Sequence, residues 1–138
     1  MPSTPWTPVA AAVDPSAVLT LVGVHLRLRA GSDLDALTAW ADRLGRELTR
    51  TPDLVGHARR WSGGAFWVVS AWTRRASLVA FERGPLHTAA QRELRALLHP
   101  PVVDVWRADP ADLPPTWEEV GDRLRAAGER TRTRLASR

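Results

Sequence analysis

Histidine is the side chain whose ordinary pKa lies closest to neutrality, and this sequence holds four. One of them has an informative setting. In AFWVVSAWTRRASLVAFERGPLHTAA, Ala65 to Ala90, His87 follows the Gly84-Pro85 pair inside an otherwise helical run. A break there can swing the imidazole toward a cavity mouth, where it can take or give a proton at neutral pH. The plain alternative is a polar residue that hydrogen-bonds locally after the break. His25 shares one side of an alternating run with Arg27 and Arg29. A histidine among arginines can bind an anion or move a proton, or it can be a polar interface position. His87 and His25 are therefore the candidate catalytic residues. His57 and His99 fall near element ends and read as surface positions.

Trp40, Trp67, Trp72 and Trp106 are candidate walls for a substrate. An indole offers a flat apolar face and a single N–H donor, although each ring alone can equally be core. Seven tryptophans with no tyrosine favour an apolar, π-rich cavity. Trp67 and Trp72 lie five apart on one strand and must point to opposite faces. Arg59 is a strand arginine able to hold a carboxylate or phenolate, and Asp104 is the one acid inside a predicted strand. No serine-histidine-acid pattern, phosphate-binding glycine loop or His-x-x-x-His pair occurs, which counts against hydrolase, kinase and metalloenzyme chemistry. With no cysteine, disulfides and thiolate chemistry are excluded. No metal is expected.

The elements that must position these groups follow from periodicity. Val18 to Arg29 alternates as a strand, with Val22, Val24, Leu26 and Leu28 on one face and Leu19, Leu21 and His25 on the other. Leu34, Leu37, Ala41, Leu44 and Leu48 repeat at helical spacing after a predicted N-cap at Ser32. Two β-rich runs meet at Ser62-Gly63-Gly64 as a hairpin. Ser77 to Leu98 is helical with a break at Gly84-Pro85. PPVVDVWRA is a last strand, and a closing helix from about residue 115 carries Trp117, Val120, Leu124 and Ala127 as its apolar stripe.

The order β-α-β-β-α-β plus a C-terminal helix predicts an α+β, ferredoxin-like domain over residues 18–138. It has an antiparallel four-stranded sheet, preceded by an extended arm over residues 1–17. Two helices cover one sheet face and leave the other bare. A bare apolar face implies a homodimer in which two sheets pack into one barrel. A chain of 138 residues is long enough for one such core. The net charge of +4 comes wholly from arginine, and lysine, asparagine and isoleucine are all absent. That reads as a coding bias, not as a nucleic-acid footprint, which needs basic residues gathered on one face. No apolar run reaches the roughly 20 residues of a membrane span. No signal peptide is legible at the start, so a cytoplasmic location is expected.

Three stretches carry a family resemblance: Trp72 followed by TRRASLVAF and then GPLHTAA; VDVWRADPADLP; and LPPTWEEVGDRLRAAGERTRTRLAS. Over roughly residues 18 to 137 the chain resembles the dimeric α/β-barrel superfamily that contains the antibiotic biosynthesis monooxygenase domain. The likeness is to an actinobacterial, monooxygenase-like branch. The resemblance implies a pocket between sheet and helices in each subunit. Superfamily activities include cofactor-independent oxygenation of polyketide aromatics, heme degradation, cyclisation and lactone isomerisation. In heme-degrading members an axial histidine lies further along the second helix, preceded by a tryptophan. The matching places here are Gln91 and Phe81, a poor iron ligand and a ring without a donor. That departure counts against heme degradation by this arrangement; no cofactor is expected, and Gln91 and Phe81 stand as candidate substrate contacts. The functional expectation is a small enzyme of secondary metabolism, monooxygenase-like or cyclase/isomerase-like. Its substrate would be an apolar or aromatic small molecule. A non-catalytic carrier of the same fold is the alternative.

Overall fold

The Gly63-Gly64 pair makes the central hairpin possible. Both glycines take positive φ, 62° and 76°, which side-chain-bearing residues adopt only at a cost and which a tight hairpin turn requires. In the computed structural model, residues 3–10 and 13–137 are described. Met1, Pro2, Ala11, Ala12 and Arg138, parts of the predicted arm and closing helix, lie outside them. In chain order the elements are β1 (Thr4–Pro8), β2 (Leu19–Arg27), α1 (Leu34–Leu48), β3 (Leu54–Ser62), β4 (Ala65–Trp72), α2 (Arg75–Arg83), α3 (Pro85–Leu94), β5 (Val102–Ala108) and α4 (Trp117–Ala136).

The strands form one antiparallel sheet in the order β1-β3-β4-β2-β5. Strands β2 to β5, with α1 and α2/α3 between them, are the ferredoxin-like α+β core predicted from periodicity. The sheet has five strands, not four. The extra one is β1, within the stretch read as an arm. It pairs with β3 through Thr4↔Arg59, Thr7↔His57 and Pro8↔Gly56. Two prolines in five residues hid it from sequence reasoning. An edge strand tolerates proline because one side of its backbone needs no partner.

The helix boundaries follow local chemistry. The cap of α1 is Asp33, one residue later than the predicted Ser32, and its carboxylate accepts from the Asp35 N–H at 2.8 Å. Gly84-Pro85 splits the long helix into α2 and α3 as expected, with Pro85 at the first helical position. Thr116 caps α4 by accepting from the Glu119 N–H at 3.1 Å.

Each sheet face has its own core. On the front, Val22, Phe66 and Trp72 meet Leu37 and Leu48 of α1, Leu78 of α2 and Leu94 of α3. On the back, Leu19, Leu21, Val69, Ala71 and Trp106 pack under Val120 and Leu124 of α4. Burying each such aliphatic side chain is worth about 1.5–3 kcal/mol. The expectation of a bare back face is therefore corrected. The amphipathic stripe of α4 lies on β2 and β5, and Trp6 of β1 packs over Gly56 on β3. Sequence could show that α4 had an apolar stripe but not what that stripe would cover.

Candidate functional site

The front face does not pack solid. A cavity of about 450 Å³ lies between the sheet and the helices. Its floor is Val22, Val24 and Leu26 of β2 with Phe66, Val68 and Trp72 of β4. Its roof is Leu37, Ala41 and Leu44 of α1, with Leu78, Phe81 and Leu94 from α2 and α3. Polar groups enter from the edges: His57 and Arg59 of β3, Ser70 of β4, Thr4 and Thr7 of β1, and His87 of α3. An apolar hollow with a few placed polar groups is the common form of a small-molecule site.

The break at Gly84-Pro85 is what brings His87 to the cavity. Its ring lies edge-on to Phe81, centroids 5.6 Å apart, and Phe81 in turn lies 5.9 Å from Trp72. Burial pushes the His87 pKa below its ordinary value, with the Glu82 charge opposing less strongly. Its Nδ1 is buried without a hydrogen-bond partner. A half-buried imidazole held neutral is suited to accept a proton.

The β3 side holds the residue that sequence reading missed. His57, expected at the surface, is only 9% exposed. The cause is its register: His57 lies opposite Ser70 and beside Thr7, facing the cavity and flanked by strands on both sides. Burial, then the Arg59 charge, lowers its pKa. Its Nε2 has no partner, and neither does Nε of Arg59. The Arg59 guanidinium is held from the other side by the Asp42 carboxylate of α1. The Trp72 N–H donates to Ser70 Oγ at 2.9 Å, which leaves the serine proton free to point elsewhere. Period-two counting back from the Gly-Gly turn puts positions 57, 59 and 61 on one face, the one signal that would have found His57.

The remaining candidates divide. Trp72, Phe81, Arg59 and His87 line the cavity together. His25 does not join them: it is on the back face, its ring 4.3 Å from that of Trp67. These two line a second, smaller hollow of about 250 Å³ with Arg27, Arg60, Trp117 and Arg125. The sheet therefore separates the two candidate catalytic histidines. Trp106 is buried in the back core beneath Arg123. Trp40 bridges helices instead, donating to Glu93 at 3.1 Å with Arg43 over its ring. Gln91 is exposed on α3, away from both hollows. Asp104 pairs with Arg130 of α4 at 3.4 Å on the back face. Of the seven tryptophans only Trp72 lines the front cavity, so the expected π-rich lining is in fact largely aliphatic. Among the described residues no cluster of His, Asp and Glu could hold a metal ion, and no helix is long and apolar enough to cross a membrane.

This architecture is the antiparallel ferredoxin-like fold of antibiotic biosynthesis monooxygenase-like structures. A variant of SnoaB, a cofactor-independent oxygenase from Streptomyces nogalater, superposes with a TM-score of 0.56 at 17% identity, covering 72% of this chain and 99% of its own. A protein described as an antibiotic biosynthesis monooxygenase gives 0.60 at 16% identity, covering 66% and 99%. A dimeric ferredoxin-like protein of unknown function from Thermobifida fusca gives 0.59 at 16% identity, covering 70% and 97%. No family model and no curated protein matches the sequence.

Proposed function

We propose that the front cavity is the active site of a small cofactor-independent enzyme, monooxygenase-like or cyclase/isomerase-like. Its substrate is an aromatic or polyketide-like molecule. One observation carries this reading. Of four buried side-chain nitrogens without a partner among the described residues, three belong to His57, Arg59 and His87, all lining this one cavity. A buried polar atom left unpaired costs about 1–3 kcal/mol, a cost that a ligand with oxygen atoms at its edges removes. The likeness to SnoaB supports chemistry without a cofactor. His87 is the base: it takes a proton from the substrate, and the electron pair stays on the delocalised ring system. In the oxygenase version that carbanion and dioxygen form a C–O bond; the peroxide takes the proton back from His87 and loses water, which leaves a carbonyl at that carbon. In the isomerase version the proton returns at another atom; in the cyclase version the carbanion attacks a carbonyl carbon of the same molecule, the C=O π pair moves to oxygen, and the proton on His87 passes to that alkoxide.

A homodimer belongs to the same reading, supported by the Thermobifida protein described as dimeric. Native mass spectrometry of freshly purified protein reports subunit count and any retained molecule together. The test of chemistry uses anthrone, an acidic aromatic ketone, without added metal or flavin. Oxygen uptake that His87→Ala abolishes supports the oxygenase version. Deuterium exchange into anthrone without oxygen uptake supports the isomerase version. A ligand that raises the melting temperature and emerges unchanged, with neither reaction seen, identifies a carrier.

A further inference from the structure

The polar groups of the cavity are not spread evenly. His57 and Arg59 come from adjacent front-facing positions of β3, and Ser70 lies across from His57 on β4. The helix packed against this corner is α1, which supplies Asp42 and, one turn on, Arg46. Residues four apart on a helix are surface neighbours. Asp42 engages Arg59, while Arg46 forms no ion pair among the described residues. This corner thus holds two guanidiniums against one carboxylate, beside two buried nitrogens without a hydrogen-bond partner: Nε of Arg59, a donor, and Nε2 of His57, which donates in the tautomer that carries its proton there. The other acid on the cavity, Glu82, belongs to α2.

We propose that this corner is an oxyanion site: His57, Arg59 and Ser70 receive the acidic oxygen of an aromatic ligand, a carboxylate, phenolate or enolate. The assignment rests on the cavity being a ligand site, and it divides the labour within it. His87 on α3 faces the group that loses a proton. The β3 corner takes the oxygen on which negative charge resides or develops. Asp42 engages one terminal nitrogen of the Arg59 guanidinium and leaves the buried Nε donor unpaired for the ligand. Preorganised donors of this kind are effective because they need no rearrangement during the reaction. His57 and Arg59 are therefore predicted to set specificity for acidic over neutral aromatics.

The test is calorimetric titration with 2-naphthoate and its neutral isostere 2-naphthamide. The wild-type protein is compared with His57→Gln, with the paired change Asp42→Asn/Arg59→Gln, and with His87→Gln. The paired change avoids stranding Asp42 without its cation. The expected result is at least a tenfold preference of the wild type for the naphthoate. That preference should be lost in the paired variant, reduced in His57→Gln and retained in His87→Gln. Naphthamide affinity should hold across the series. Equal binding of both probes by the wild type overturns the oxyanion site but leaves the cavity standing. So does a preference that survives the paired change. Binding of neither probe removes the cavity reading itself. If thermal melting shows that the paired variant does not fold, His57→Gln decides alone, and an undiminished preference there refutes the proposal.

Discussion

Replacing Gly56 with alanine puts a methyl group where Trp6 already lies. A Cβ at that position would be 2.5 Å from Cζ2, 2.7 Å from Cε2 and 3.0 Å from Nε1 of the indole. Carbon atoms in contact prefer about 3.5–4.0 Å, so ring or strand must shift by roughly 1 Å. Neither gives easily: the indole is rigid, and β1, which carries it, is hydrogen-bonded along β3. The φ of Gly56 is not among the positive ones, so alanine brings no backbone strain and the cost is steric. Overpacking of this kind costs about 1–3 kcal/mol. Unfolding entropy near 2.1 cal/mol/K per residue converts that into a melting temperature lower by roughly 3–10 °C for a chain of this length. Urea denaturation of four proteins tests the reasoning: wild type, Gly56→Ala, Trp6→Ala and the double variant. With Trp6 gone the added methyl has room, and Gly56→Ala should become neutral or stabilising by up to about 1 kcal/mol, through reduced freedom of the unfolded chain. An equal cost of Gly56→Ala with and without Trp6 would refute the steric account. Because Thr4 and Thr7 of the same strand line the cavity, Gly56→Ala should also weaken binding of 2-naphthoate.

Two further outcomes follow from the packing. Leu124 of α4 is 2% exposed against Leu21 and Trp106, so Leu124→Ala should lower stability by about 2–5 kcal/mol; a loss below about 0.5 kcal/mol, the size of an ordinary surface change, would mean that α4 does not cover the sheet. His25, His57 and His87 all have pKa values pushed below the ordinary 6.5, first by burial. The unfolded chain takes up these protons near pH 6.5, whereas the folded chain does so only at lower pH, so acid favours unfolding in that interval. Stability should be full above about pH 6.5 and decline below it. Urea midpoints at pH 7 and pH 5 measure this, and His57→Gln/His87→Gln should flatten the decline. A wild-type midpoint unchanged between those pH values would contradict the burial of the imidazoles.

Much of the fold was legible because it rests on local patterns. Alternation through Val22, Val24 and Leu26 needs only the pleat of a strand. The Gly63-Gly64 turn needs only the φ freedom of glycine, and the break at Gly84-Pro85 needs only the missing proline N–H. His87 could be singled out for the same reason: its place beside the cavity follows from a break written two residues before it. The edge strand β1 was not legible, since its proline-rich run becomes a strand only when β3 offers it a partner.

The sequence by itself determined the order of β2 to β5 and of the helices between and after them, the alternation that splits a strand between two faces, and the helix break two residues before His87. Each of these is a matter of near neighbours in the chain. Only the tertiary structure decided that α4 and Trp6 cover the back of the sheet, that His25 and His87 stand on opposite sides of it, and that His57 is buried beside Arg59. Those outcomes depend on which distant segment reaches a given face first and removes its apolar surface from water. Spacing along the chain does not encode that choice.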